Sequence, residues 1–205
     1  MRSVLTYVRA VSTWSIRKYL WTLLRSTIIG HRDKMERMKK IVEAFDICGN
    51  VTDIKPLGNG LINDTFKVCT DGCSAYVLQK INNAIFRNVG LLQDNIVSVT
   101  THIRKKLVAS GEAEVERKVL TFVKLKDSEK TYWTDGNEYW RVSVFIPDAM
   151  TYETVNPEYS YYAGKAFGEF QAMLADIPDQ LGETIPDFHN MELRARQLEE
   201  AAAAD

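Results

Sequence analysis

The stretch PLGNGLINDTFKV, residues 56–68, decides how the rest of the chain reads. Two glycines, Gly58 and Gly60, flank Asn59. A polar cluster of Asn63, Asp64 and Thr65 follows, and then the alternation of Phe66, Lys67 and Val68. Glycine reaches positive φ without steric cost, and its missing Cβ lets backbone approach a ligand closely. The segment is therefore either a plain hairpin turn or a loop that folds over phosphates and offers its amide N–H groups. In the second case Asn59, Asn63, Asp64 and Thr65 add side-chain contacts. It is neither a Walker loop nor a dinucleotide fingerprint, because no Gly-Lys-Ser/Thr follows and the next element is a strand, not a helix.

Working outward, VTDIKPLG (51–58) alternates and predicts a strand before the glycines, and LINDTFKVCT (61–70) predicts one after them. Asp71-Gly72 is a hairpin signal, and SAYVLQKIN (74–82) predicts a third strand. Upstream, MKKIVEAFDI (38–47) places Ile41, Val42, Phe45 and Ile47 at near-helical spacing, and Gly49-Asn50 ends that element. Downstream, residues 88–111 predict a long amphipathic helix with Leu91, Leu92, Ile96, Val99, Ile103 and Leu107 on one stripe and Gly111 as its stop. RKVLTFVKLK (117–126) and EYWRVSVFI (138–146) predict two further strands around the turn TDGNE. Residues 155–177 predict a helix capped by Asn156, with Pro157 at its first position and Glu158 in its first turn. MELRARQLEEAAAAD (191–205) begins another. The order gives an α+β fold of two lobes, with a hinge near Phe145 to Tyr152.

The composition bounds the function. The 205 residues are 45% hydrophobic and 26% charged, with a formal net charge of −1, which is ordinary globular chemistry. No basic domain or stripe marks a nucleic-acid binder. The cysteines, Cys48, Cys69 and Cys73, lack the C-x-x-C spacing of a redox or zinc pair and read as reduced thiols of a cytoplasmic protein. His31, His102 and His189 lie far apart and near no cysteine. No apolar run approaches the roughly 18 residues of a membrane span. Residues 1–32 carry Arg2, Arg9, Arg17, Lys18, Arg25 and Arg32 and no acid. That resembles a targeting segment or a surface-lying helix. The expectation is that residues 1–34 form a basic extension, unstructured or before the true start, outside the fold.

Helix, glycine hairpin, third strand, long helix, two strands and polar hinge is the layout of a kinase-type nucleotide lobe. In that layout the third strand supplies a cation to the phosphates. YVLQKIN offers Gln79 or Lys80, and strand alternation puts them on opposite faces, so only one faces a nucleotide. Asp94 is the carboxylate of the long helix ahead of its basic end, and reads either as a partner acid or as a solvated first-turn residue.

Six successive blocks then carry a resemblance: GNGLINDTFKV, YVLQKINNAIF, LLQDNIVSVTTHIR, WRVSVFIPDAMTYE, AGKAFGEFQAMLADIP and ETIPDFHN. From about Met38 onward the chain resembles the N-acetylhexosamine kinases of the aminoglycoside phosphotransferase and choline kinase superfamily. The resemblance implies a protein-kinase-like lobe over residues 35–147 (a five-stranded antiparallel sheet with an inserted helix) and the hinge and first helices of a helical lobe over 148–205. It implies a phosphotransferase using ATP and Mg²⁺ on the anomeric hydroxyl of an N-acetylhexosamine. Gly58, Asn59, Gly60, Asn63 and Thr65 would then cover the phosphates, with Phe145 and Ile146 holding the adenine. The lysine position of protein kinases would fall on Gln79, with Lys80 beside it.

The family's remaining machinery, a His-x-Asp-x-x-x-x-Asn loop and a later metal-binding Asp, has no match. At His189-Asn190 a methionine, Met191, stands where the aspartate belongs. No catalytic or metal residue is assigned, and the chain is expected to be the front half of such a kinase, inactive alone. The alternatives are a related kinase for aminoglycoside, choline, homoserine or methylthioribose, or a non-catalytic nucleotide-binding module, in one form membrane-associated through its basic N-terminus.

Overall fold

The computed structural model describes residues 32–58, 60–72, 74–150, 154 and 156–204. Expectations for the basic segment up to residue 31, and for Asn59, Cys73, Thr151 and Tyr152, fall outside these. The first helix, α1 (32–43), starts six residues before the predicted Met38. Met38, Ile41 and Val42 form its buried stripe, and Phe45 just beyond it is wholly buried. Asp46 N–H donates to the Lys124 carbonyl at 2.9 Å. Gly49, at φ +85°, then turns the chain into the sheet.

Strands β1 (Val51–Pro56), β2 (Asp64–Thr70) and β3 (Tyr76–Ile81) follow as expected. With β4 (Tyr132–Thr134) and β5 (Tyr139–Val144) they form one antiparallel sheet in the order β1-β2-β3-β5-β4. The fold is α+β. Alternation assigns its faces. Val68, Leu78 and Val142 are fully buried and pack with Tyr76, Trp140 and the α1 stripe. Removing any of these large side chains would cost about 2–5 kcal/mol. The opposite face carries Thr65, Lys67, Gln79 and Arg141. It meets α2 (Val89–Ala109) through Gln93, which is 1% exposed.

The structure corrects one predicted strand. Residues 117–126 are not a ladder: Val115–Lys118 wind into the short helix α3, and Val119 is buried with Ile103 and Leu107 of α2. Residues 121–125 pair with the rest of the chain through isolated bridges, Phe122 to Ser143 and Leu125 to Phe45. The polar run KDSEK (126–130) loops out, and β4 returns to the same edge of β5. Two short segments thus share an edge that the alternation assigned to one. The predicted turn is present. Asp135 Oδ1 accepts from the N–H groups of Asn137 and Glu138, at 3.0 and 2.9 Å, and Gly136 has φ +94°.

Helix α2 begins with Asn88 Oδ1 accepting from Leu91 N–H at 3.0 Å, and the chain leaves it at Gly111, φ +73°. Of its predicted stripe Ile103 and Leu107 are buried and the other members are half-buried. Helix α4 (Pro157–Leu174) starts as its sequence requires, with Asn156 Oδ1 accepting from Tyr159 N–H at 2.8 Å. Met173 and Leu174 join the Ile103–Leu107–Val119 cluster. Lys106 donates to the Met173 carbonyl at 2.9 Å, and Lys106 and His102 both reach Asp176. These groups satisfy the C-terminal end of α4, where a helix favours positive charge. Asn95 exchanges two hydrogen bonds with the Gly182 backbone, and α5 (Met191–Ala204) follows. Among the described residues no helix is long and apolar enough to cross a membrane.

Candidate functional site

The β1–β2 connection is the loop singled out in the sequence. Leu57 N–H donates to the Thr65 carbonyl at 2.9 Å, which closes its base. Gly58 has φ +71°, the left-handed region that an L side chain enters only with strain. A Cβ at Gly58 would meet nothing within 4 Å, so the requirement there is conformational. At Gly60 it is steric, because a Cβ would lie 3.1 Å from the Asn63 carbonyl oxygen. The tip is apolar and open, with Leu61 wholly exposed and Ile62 about half exposed.

Asn63 fastens the end of this loop to the residue after β3, and a cross-strand bond between β2 and β3 lies beside it. Asn63 Oδ1 accepts from Asn82 N–H at 2.9 Å, and Gln79 Nε2 donates to Thr65 Oγ1 at 3.0 Å. The polar cluster thus roots the glycine loop over the end of the third strand. Thr65 and Gln79 face each other across the β2–β3 register. Gln79 also faces Arg141 across the β3–β5 register.

That last pairing builds the polar centre of the face. Gln79 Oε1 accepts from Arg141 Nε at 2.9 Å and from Nη2 at 2.5 Å. Arg141 Nη1 donates to Gln93 Oε1 at 3.1 Å, and Gln93 Nε2 donates to the carbonyl and hydroxyl of Thr131, each at 3.1 Å. The guanidinium lies 5.3 Å over the Phe122 ring. Burial pulls Arg141 down to about 10, since a desolvated charge is disfavoured. A cleft of about 340 Å³ opens beside it, lined by Ile96, Val99, Phe122 and Phe170 among others.

At the other end of the same face, Phe145 N–H donates to the Ala75 carbonyl at 2.9 Å, and Lys67 Nζ sits 4.1 Å from the Phe145 ring centroid. Ile146 is half-buried next to it. Arg117 donates to the Pro147 carbonyl at 3.0 Å and ties the connection after β5 to α3. Asp148 follows in the left-handed region at φ +58°.

Of the residues expected from sequence, the structure brings Thr65, Gln79 and Phe145 to the face that meets α2, with Gly58, Gly60 and Asn63 in the loop before β2. Lys80 goes to the opposite face. There its Nζ contacts Glu138 at 2.6 Å, and Glu138 also holds Arg37 at 2.8 Å and accepts from Trp140 Nε1 at 3.2 Å. The Lys80 hydrogen bond is the largest influence holding the Glu138 carboxyl below its ordinary 4.5. Asp94 is exposed at the rim of a cleft with Asp179. His189 is exposed, edge-on to Phe188 with centroids 4.6 Å apart.

Sequence reasoning missed Arg141 and Gln93. The available signal was an arginine between Trp140 and Val142, in a strand whose apolar neighbours face the core. Among the described residues no group of three or more His, Cys, Asp or Glu side chains converges as a cation site would require. No protein-family model matches the chain.

Proposed function

We infer that this sheet and its glycine loop form the nucleotide-binding lobe of a protein-kinase-like phosphotransferase, with ATP as ligand. One observation carries the reading. A loop with a left-handed Gly58 and a sterically confined Gly60 joins two antiparallel strands, and Thr65–Gln79 and Asn63–Asn82 bonds fasten it over the third strand. The backbone N–H groups of the loop would receive the phosphates, and the connection at Phe145–Ile146 would hold the base.

The acceptor follows from the sequence blocks described above: the anomeric hydroxyl of an N-acetylhexosamine. Transfer to it requires an aspartate to accept the hydroxyl proton and further groups for the metal, and no such set is present in the described residues. The chain is therefore expected to bind ATP without transferring its phosphate. Calorimetric titration with ATP, and ³¹P NMR of the mixture with N-acetylglucosamine or N-acetylgalactosamine, tests both statements. Saturable binding with no sugar 1-phosphate is expected. A folded chain showing no ATP binding removes the lobe assignment, and a sugar phosphate formed by this chain removes the second statement.

A further inference from the structure

The sheet face under the glycine loop carries a positive charge with no counter-charge. Arg141 has five N–H donors. Three of its hydrogen bonds go to Gln79 and Gln93, and both acceptors are neutral amides. No carboxylate among the described residues pairs with it; its contacts are neutral amides and the Phe122 ring, and burial lowers its pKa to about 10. Holding a half-buried guanidinium with no acid beside it costs desolvation that neutral amides only partly offset. Retaining the charge while neutral amides position it is the arrangement of a site that waits for an anion.

The amides also give the charge a direction. Arg141 occupies the Gln79 carbonyl oxygen, so the Gln79 amide nitrogen turns toward the loop. One of its hydrogens goes to Thr65 Oγ1. The other makes no hydrogen bond among the described residues. A Cβ at Gly60 would lie 4.0 Å from that same Thr65 oxygen. The line Arg141–Gln79–Thr65–Gly60 thus runs from the buried charge to the underside of the loop. The neighbouring cations are otherwise engaged: Lys80 is neutralised by Glu138 on the opposite face, and on this face Lys67 lies over the Phe145 ring and Lys55, opposite it in the register, pairs with Asp53.

We propose that Arg141, acting directly and through Gln79, supplies the positive charge that receives the phosphate chain of a nucleoside triphosphate beneath the Gly58–Asn63 loop. This rests on the nucleotide reading above and adds to it that the charge comes from β5 and not from the third strand. Arg141 is then a phosphate-binding residue and Gln79 a positioning one.

The test is calorimetry on the full chain with ATP, adenosine and inorganic tripolyphosphate, comparing wild type with Arg141→Gln and Arg141→Lys. Loss of the charge should weaken ATP and tripolyphosphate by about tenfold or more, while adenosine changes by less than about twofold. Arg141→Lys should recover most of the loss. A folded Arg141→Gln protein that binds ATP as wild type does overturns the proposal and leaves the nucleotide reading standing. A wild-type chain that binds neither ATP nor adenosine removes both. If Arg141→Gln does not fold, the Arg141 ¹⁵Nε–¹H NMR signal of the wild type decides. It should shift on adding tripolyphosphate, and an unmoved signal under saturating ATP overturns the proposal.

Discussion

Replacing Gly58 by valine separates a turn from a phosphate clamp. At φ +71° the valine must adopt the left-handed region, which costs about 1–2 kcal/mol. Nothing lies within 4 Å of the added Cβ, so no clash adds to that figure. In a chain of this length the melting temperature should fall by roughly 2–8 °C, with the fold retained. On the proposed function the open space beside Gly58 is where the phosphates approach, and valine fills it. ATP affinity should drop by about tenfold or more, or about 1.4 kcal/mol. Gly58→Asn is the control, because asparagine tolerates the left-handed region better than other residues. It should recover most of the melting temperature but not the affinity. Differential scanning fluorimetry and ATP calorimetry read the two effects independently. A folded Gly58→Val protein with wild-type ATP affinity would refute the close-approach argument, whatever its melting temperature.

Other perturbations test the frame around the site. Gly49→Ala combines φ +85° with a Cβ only 2.5 Å from the Gly72 nitrogen, and should destabilise by at least about 2 kcal/mol in urea unfolding; a loss under about 0.5 kcal/mol would contradict the close approach of the two turns. Gln93→Leu removes the acceptor of an Arg141 N–H and the donor to Thr131 in a buried setting, and should cost about 1–3 kcal/mol in the same assay. A neutral result would mean that water or rearrangement replaces these bonds. Glu138→Gln concerns pH. The Glu138 carboxyl is held below its ordinary 4.5, chiefly by Lys80. Its contribution to stability is therefore fully present above that value and lost as pH falls through the lower folded one. The variant should lose stability at neutral pH and show a shallower decline below about pH 4.5 than wild type. Parallel acid limbs would refute the ion-pair role.

Much of the fold was legible where local chemistry and tertiary packing agree. Asn156-Pro157-Glu158 marked the start of α4 because cap, ring and charge all act within one turn. Gly111 marked the end of α2, where the chain leaves the helix at positive φ. The edge of β5 was not legible: alternation over 117–126 cannot reveal that a polar loop lets residues 132–134 return to the same strand. Nor could alternation alone choose between Gln79 and Lys80. It sets them on opposite faces, but which face the first helix covers depends on Met38, Ile41 and Val42 meeting Leu78 and Val142, a long-range contact. Arg141 stayed hidden because a charged residue on a strand reads as solvent-facing until the helix across from it is known. The glycine loop was visible as a motif, whereas its anchoring through Asn63 and Thr65 required the β2–β3 register.

Hydrogen–deuterium exchange of the whole chain, with and without saturating ATP, tests the central claim most directly. The account predicts slowed exchange at the amides of residues 57–65 and at the Phe145–Asp148 connection, with β1 and α1 unchanged. ATP that binds without protecting the loop, or that protects a different surface, would contradict it.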